Sequence, residues 1–204
     1  MSIKPMPELS FYATLHWKMA SGIPAVHGLS ATYIEDAPTS LDSGWIYCSA
    51  GDTYSGLKPI GLGLDHVTGR LVGLKFWCEC YYLENEAGLS RYRFDIRAFD
   101  NQQANNPFQF HSLNLSRNGY LGLYVLGIPD VDNALGEVAL WEFDGLDPWT
   151  LEEGMQVVDL ALISPSGKKL RRLVEDGFPY LNEYKGHDTL FSIQVQPDGL
   201  KMPW

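Results

Sequence analysis

The sequence contains little cysteine, and it has no long apolar run. Three cysteines occur in 204 residues. A small, odd number of cysteines argues against a disulfide framework and suits a reducing compartment. No segment has the apolar length of a secretory signal or of a helix that crosses a bilayer. We therefore expect a cytoplasmic protein without a membrane partner.

Basic residues are also few. The chain has 15 Lys and Arg against 25 Asp and Glu, which gives a formal net charge of −10. Such a chain repels phosphate backbones, and nucleic-acid binding requires a basic patch that is missing here. The longest basic cluster is small and consists of Lys168, Lys169, Arg171 and Arg172. The composition excludes nucleic acid as the expected partner, whereas a basic protein partner remains compatible with it.

Signatures of metal sites, cofactors and nucleophilic catalysis are missing. The five histidines have neither of the short spacings that mark zinc proteases, and there is no G-x-S-x-G, phosphate loop or dinucleotide fingerprint. Cys78 and Cys80 lie two residues apart on an apolar strand pattern, which is typical of core packing more than of zinc ligation. We expect no metal and no cofactor.

Aromatic residues and turn formers are abundant. Aromatic residues make up 13% of the chain, with 20 Gly and 12 Pro, a combination that favours short strands joined by turns. We predict one all-β domain over residues 1–204, an antiparallel β-sandwich of the jelly-roll kind with one or two short helices. A closed antiparallel barrel of the calycin kind fits nearly as well, because both architectures bury one face of every strand.

Two segments carry helix signals. Ser164 and Pro165 look like a helix start, and Gly177 looks like the corresponding end. Asp147 followed by Pro148 predicts a second, shorter helical turn.

The clearest local pattern is a hairpin. We predict a strand from Arg70 to Leu83, a turn at Asn85–Gly88 and a returning strand from Arg91 to Phe99. Strand side chains alternate between two faces, so one face of this hairpin is apolar and the other is charged and aromatic. The second face consists of Lys75, Trp77, Glu79, Tyr81, Arg91, Arg93, Asp95 and Arg97.

This polar face is the candidate ligand-binding site. If it lined a barrel or a concave sheet, Glu79 and Asp95 would form a charge network that leaves an arginine for the ligand. Trp77 and Tyr81 would supply a flat surface for a sugar ring or a planar ligand. If the face pointed outward, the same residues would form cross-strand ion pairs and Trp–Arg stacking in water.

Three functions fit these features. The leading hypothesis is a binding protein for a polar ligand, with carbohydrate favoured, or for a protein partner. An alternative is a cofactor-free, metal-independent lyase, isomerase or cyclase, with Glu79, Arg93, Asp95 and Arg97 as acid–base groups inside a barrel. A second alternative is an acidic inhibitor or immunity-type protein that neutralises a basic partner.

Tryptophans at turn edges add a further candidate. Trp45 and Trp149 lie beside predicted turns, where an indole serves as a ligand platform or as a hot spot for a protein partner. Covering one end of the core is the commoner use of such a residue.

Overall fold

A computed structural model describes residues 2–18, 28–33, 46–47, 70–84, 90–99, 108–124, 139–175 and 178–200. These residues form two antiparallel sheets. The larger sheet contains β1 Ser2–Pro5, β2 Phe11–Trp17, β6 Phe76–Glu84, β7 Ser90–Ala98, β8 Ser112–Leu115, β9 Leu121–Tyr124, β10 Leu140–Asp144, β11 Gln156–Ile163 and β15 Phe191–Val195. The smaller sheet contains β3 Ser30–Tyr33, β4 Ile46–Tyr47, β5 Arg70–Gly73, β12 Arg171–Glu175, β13 Phe178–Asn182 and β14 His187–Asp188.

The larger sheet closes on itself. Its strand order runs β6-β2-β15-β11-β10-β7, and β7 pairs back with β6 to complete a six-stranded barrel. β1 extends one side of this barrel beside β6, and β8 and β9 extend the other beside β7. The all-β prediction is confirmed, and of the two predicted architectures the chain adopts the closed barrel.

Aromatic rings fill the barrel. Phe11, Phe94 and Phe143 meet at its centre, with ring centroids 5.4 to 6.3 Å apart. Trp141 is fully buried, and its indole N–H donates to the carbonyl oxygen of Leu113 at 3.0 Å. Small side chains such as Ala13 belong to the same buried cluster. The inward face of each strand thus forms a solid core, as expected for so narrow a barrel.

The smaller sheet shares this core. Leu29, Ala31 and Ile46 belong to the same buried cluster as the barrel residues, as do Leu170 and Leu181. An isolated bridge between Tyr120 and Asn182 joins the two sheets near β9. The two sheets are therefore packed around continuous apolar contacts.

The predicted helix at Ser164–Gly177 is wrong. Residues from Ser164 to Lys168 form a tight turn, in which Gly167 has φ +84° and donates its N–H to the carbonyl oxygen of Ser164 at 2.9 Å. The following residues form β12, which pairs with β13 and β14. Serine and proline favour turns as well as helix starts, and here pairing with two neighbouring strands decided the outcome.

The described residues include no α-helix, but the shorter helical turn is confirmed as a 3₁₀ turn at Pro148–Thr150. The Asp147 carboxylate caps this turn by accepting the N–H of Trp149 at 3.1 Å.

The predicted hairpin is confirmed in its pairing and corrected in its length. β6 and β7 pair along their whole length, from Phe76 opposite Ala98 to Glu84 opposite Ser90. The predicted long strand is broken after Gly73, because β5 pairs with β3 in the smaller sheet. The predicted turn at 85–88 lies outside the described residues.

Candidate functional site

The polar face of β6 and β7 assembles as the alternation predicted. Three pairs of its members lie directly opposite each other across the two strands, and Arg91 lies opposite Leu83. The three pairs are Trp77 with Arg97, Glu79 with Asp95 and Tyr81 with Arg93. Lys75 immediately precedes β6, and its ammonium lies 6.0 Å from the centroid of the Tyr12 ring.

This face lies on the outside of the barrel. The alternate residues of the same strands, among them Phe76, Cys78, Phe94 and Ile96, belong to the central core. Because adjacent residues in a strand point to opposite faces, the polar side chains point away from the core. The interior placement on which the lyase, isomerase or cyclase alternative depended is therefore wrong for Glu79, Arg93, Asp95 and Arg97.

Asp95 is nevertheless buried. Its side chain is 2% exposed, and the Arg97 guanidinium donates to its Oδ2 from Nε at 2.7 Å. Burial raises the pKa of Asp95, the Arg97 hydrogen bond and charge lower it in part, and the charge of Glu79 raises it further. This outer carboxylate therefore lies in a site where its ionised form is disfavoured.

Tyr81 links the two carboxylates to the rest of the face. Burial raises the pKa of Tyr81 to about 12, and the charge of Glu79 and a hydrogen bond to it contribute. The phenol therefore stays protonated at neutral pH and donates its hydrogen bond to Glu79.

Trp77 is buried although it lies outside the barrel. It forms a small second cluster with Tyr12 and Phe99, whose rings lie 5.6 Å apart edge to face. Residues near the carboxyl end pack beside it, since the Tyr12 N–H donates to the carbonyl oxygen of Gly199 at 2.6 Å. The shielding of Trp77 thus comes from side-chain packing, and its ring is not available as an open platform for a ligand.

Two arginines of the face share one carboxylate on β10. Glu142 Oε2 lies 3.5 Å from Nη1 of Arg91 and 3.6 Å from Nε of Arg93. The Arg91 side chain is 62% exposed, so this end of β7 presents a guanidinium to solvent.

The same end of β7 holds an exposed indole. Trp149 is 61% exposed, and its Nε1–H donates to the Tyr92 hydroxyl at 2.7 Å. The Tyr92 ring in turn lies 5.6 Å from that of Tyr82. Since Asp147 binds the backbone N–H of Trp149, two hydrogen bonds hold this residue while its ring remains open to solvent. We call Trp149, Tyr92 and Tyr82 the Trp149 platform.

Within the described ranges, no group of three or more His, Cys, Asp or Glu side chains is placed to hold a metal ion. Cys78 and Cys80 are free and buried. Burial raises the pKa of both thiols, that of Cys80 to about 12, so neither is a thiolate nucleophile at neutral pH. Trp45 lies outside the described residues.

Two residues at this end of β7, Tyr92 and Glu142, were not predicted as part of a site from the sequence. Tyr92 alternates with the apolar residues of β7, so its pattern indicates a core position, and only its place at the strand end leaves the hydroxyl accessible. Glu142 lies on β10, and nothing in the sequence indicates that β10 pairs beside β7.

Nor does any helix in the described part of the chain have the length and apolarity needed to cross a bilayer. No protein-family model matches this sequence, and neither the curated proteins nor the solved structures contain a match to it.

Proposed function

We propose that this protein binds a carbohydrate and that a sugar ring stacks on the indole of Trp149. The main support for this proposal is that the Trp149 ring is exposed while two hydrogen bonds hold the residue in place. Leaving a large apolar side chain in water forgoes roughly 2 kcal/mol that burial would provide. Trp149 is the most exposed aromatic residue among those that the structure describes as exposed, and its fixed, open ring is suited to a ligand.

The chemistry of the platform suits a sugar. The hydrogens on one face of a pyranose form an apolar surface that packs against an aromatic ring. Because the indole N–H already donates to Tyr92, the ring presents its apolar face without an unsatisfied polar group. The fixed orientation lowers the entropy lost on binding.

The charged groups at the same end of β7 lie on the opposite face of the strand from Tyr92. Arg91 is exposed, and Glu142 lies between it and Arg93, so donors and an acceptor are present together. The proposal therefore assigns the ligand contact to Trp149 and not to the predicted residues Arg91 and Arg93. Asp95 and Trp77 are too buried for contact, and they support the strands.

The setting we propose is the cytoplasm, with no nucleic-acid or membrane partner. The free thiols of Cys78 and Cys80 and the net charge of −10 support this setting.

The test is a titration with soluble trisaccharides, namely cellotriose, chitotriose, maltotriose and mannotriose, monitored by tryptophan fluorescence and by calorimetry. We expect saturable binding of at least one sugar and a loss of about tenfold or more in affinity for Trp149→Ala. Phe110→Ala is the matched control, because Phe110 is another exposed aromatic residue, at 50%.

A second variant tests the hydrogen bond. Tyr92→Phe keeps the ring and removes the hydroxyl that holds Trp149, so we expect weaker binding with little change in stability. The proposal is wrong if none of the four sugars binds, or if Trp149→Ala and Phe110→Ala reduce affinity equally.

A further inference from the structure

A pocket at the smaller sheet lies apart from the Trp149 platform and shares no residue with it. Its volume is about 380 Å³, within the range of small-ligand sites. It lies where the turn after β11, the start of β12 and the residues around β14 meet. We call it the β12 pocket, and its lining consists of Lys168, Lys169, Arg171, Glu183, Tyr184 and Asp188.

A buried carboxylate anchors this pocket. The Glu183 side chain is 3% exposed, and Ser166 Oγ donates to its Oε2 at 2.9 Å. Burial alone would raise the pKa of Glu183, but hydrogen bonds from Ser164, Tyr184 and Ser166 and the charge of Lys168 hold it below its usual value. Glu183 is therefore an ionised internal anchor whose oxygens already accept protein donors.

This anchor positions a cation. The Lys168 ammonium lies 3.8 Å from Glu183 Oε1 and 4.1 Å from the centroid of the Tyr184 ring. The Tyr184 ring packs so closely over Gly119 that a Cβ at Gly119 would lie 2.4 Å from it. The ammonium is therefore held between a carboxylate and an aromatic face, and its side chain remains half exposed.

The other two cations have weakly held partners. Arg171 Nε lies 3.1 Å from Asp188 Oδ1, and Lys169 Nζ lies 3.8 Å from Asp144 Oδ2. Both carboxylates are exposed, Asp188 by 76%. Exposed ion pairs contribute about 0 to 1 kcal/mol, so a ligand of higher charge competes with them.

We propose that the β12 pocket binds a phosphate-type dianion, either inorganic phosphate or the phosphate group of a monoester. Three cationic side chains within four consecutive residues line one cavity of a chain whose net charge is −10. A dianion carries twice the charge of the aspartates with which it competes, and its oxygens match ammonium and guanidinium donors. On binding, it displaces Asp188 from Arg171 and contacts Lys168 in its held position.

The experiment is calorimetric titration of the full chain with inorganic phosphate at about pH 8, where phosphate is mostly dianionic, at constant ionic strength. We expect saturable binding that Lys168→Met and Arg171→Met each weaken by about tenfold. Lys185→Met is the matched control, because Lys185 is a neighbouring exposed lysine that does not line the pocket, and we expect it to change affinity by less than about twofold.

A variant that is expected to strengthen phosphate binding separates a specific effect from a loss of binding through misfolding. Asp188→Asn removes the carboxylate that competes for Arg171, so we expect phosphate to bind a few times more tightly. A merely disruptive substitution would not tighten binding.

Two further ligands identify the class. Acetate, a monoanion, is expected to bind at least about tenfold more weakly than phosphate. Phenyl phosphate binding more tightly than inorganic phosphate would assign a monoester as the ligand, and the reverse order would assign the free anion.

The proposed site is wrong if phosphate binding does not saturate or if acetate binds as tightly as phosphate. It is also wrong if Lys185→Met weakens phosphate binding as much as Lys168→Met does. Because none of these variants alters the Trp149 platform, failure here leaves the carbohydrate proposal unaffected.

Discussion

Asp95 on the barrel and Glu183 beside the smaller sheet are both nearly inaccessible carboxylates with a basic partner, yet their pKa values move in opposite directions. The pKa of Asp95 is raised and that of Glu183 is lowered. The Arg97 guanidinium donates a hydrogen bond to Asp95, and Glu79 lies directly opposite Asp95 on β6. Glu183 instead accepts hydrogen bonds from two serines and a tyrosine and has the charge of Lys168 nearby.

The difference shows what burial of a charge requires. Desolvation acts on both groups, so the number of donors and the sign of the neighbouring charges decide the direction. One guanidinium beside a second carboxylate does not offset the desolvation of Asp95, whereas three hydroxyl donors and an ammonium more than offset that of Glu183. The first carboxylate is held at a cost to stability, and the second contributes to stability.

The largest expected effect comes from removing the partner of Asp95. Arg97→Met leaves a buried carboxylate without its counter-charge, and we expect a loss of about 3 kcal/mol in the free energy of unfolding at neutral pH. Urea unfolding measures this change. Asp95→Asn is the matched variant, because it removes the charge that the site disfavours, and we expect a change below about 1 kcal/mol. Equal losses in the two variants would show that Asp95 is not a disfavoured anion.

Glu183→Gln removes a carboxylate whose ionised form the fold favours, and we expect an intermediate loss in the free energy of unfolding. The amide keeps the shape of the side chain but loses the charge and one acceptor oxygen, so we expect a loss of about 2 kcal/mol. The same urea unfolding assay applies. A loss smaller than that of Asp95→Asn would reverse the comparison between the two carboxylates.

The smallest effect is a pair of opposite pH dependences. As pH falls below neutral, Asp95 takes up its proton in the folded protein before it would in the unfolded chain, where its pKa is near its ordinary value of 3.8. Wild type should therefore gain stability relative to Asp95→Asn as pH falls toward that value. The stability from Glu183 is present above its ordinary pKa of 4.5 and is lost as pH falls through its lowered pKa in the folded protein.

Wild type should therefore lose stability relative to Glu183→Gln over that lower range. We expect each difference to be about 1 kcal/mol or less, measured by unfolding at a series of pH values. If both differences in stability between wild type and variant changed in the same direction as pH fell, the opposite pKa shifts of Asp95 and Glu183 would be contradicted.

The hairpin shows how much of the fold was predictable. Its two faces agree with simple alternation, because side-chain direction in a strand depends only on local backbone geometry. Which residues lie opposite each other, such as Glu79 and Asp95, was not predictable, because the register depends on the length of the turn. The predicted helix after Ser164 failed because β12 is held by β13 and β14, and no local signal reports such partners.

The candidate sites were less predictable than the fold. The polar face of the hairpin was identified residue by residue, but not its outward direction or the burial of Trp77 under Tyr12 and Phe99. Lys168, Lys169 and Arg171 were visible as a basic cluster, whereas their buried partner Glu183 was not. The sequence places Trp149 at the edge of a predicted turn. It does not show that the indole is exposed or that its N–H donates to Tyr92.

By itself, the sequence determined the strand-rich class, the alternating faces of β6 and β7 and the short turn capped by Asp147, since each depends on residues close together in the chain. The tertiary structure decided that the sheet closes into a barrel and that the apolar face of the hairpin points into it. It also decided that Ser166 and Gly119 are hydrogen-bonded to Glu183. These features depend on pairings between distant segments, whose free energy comes from burial and hydrogen bonds that exist only once the strands have assembled.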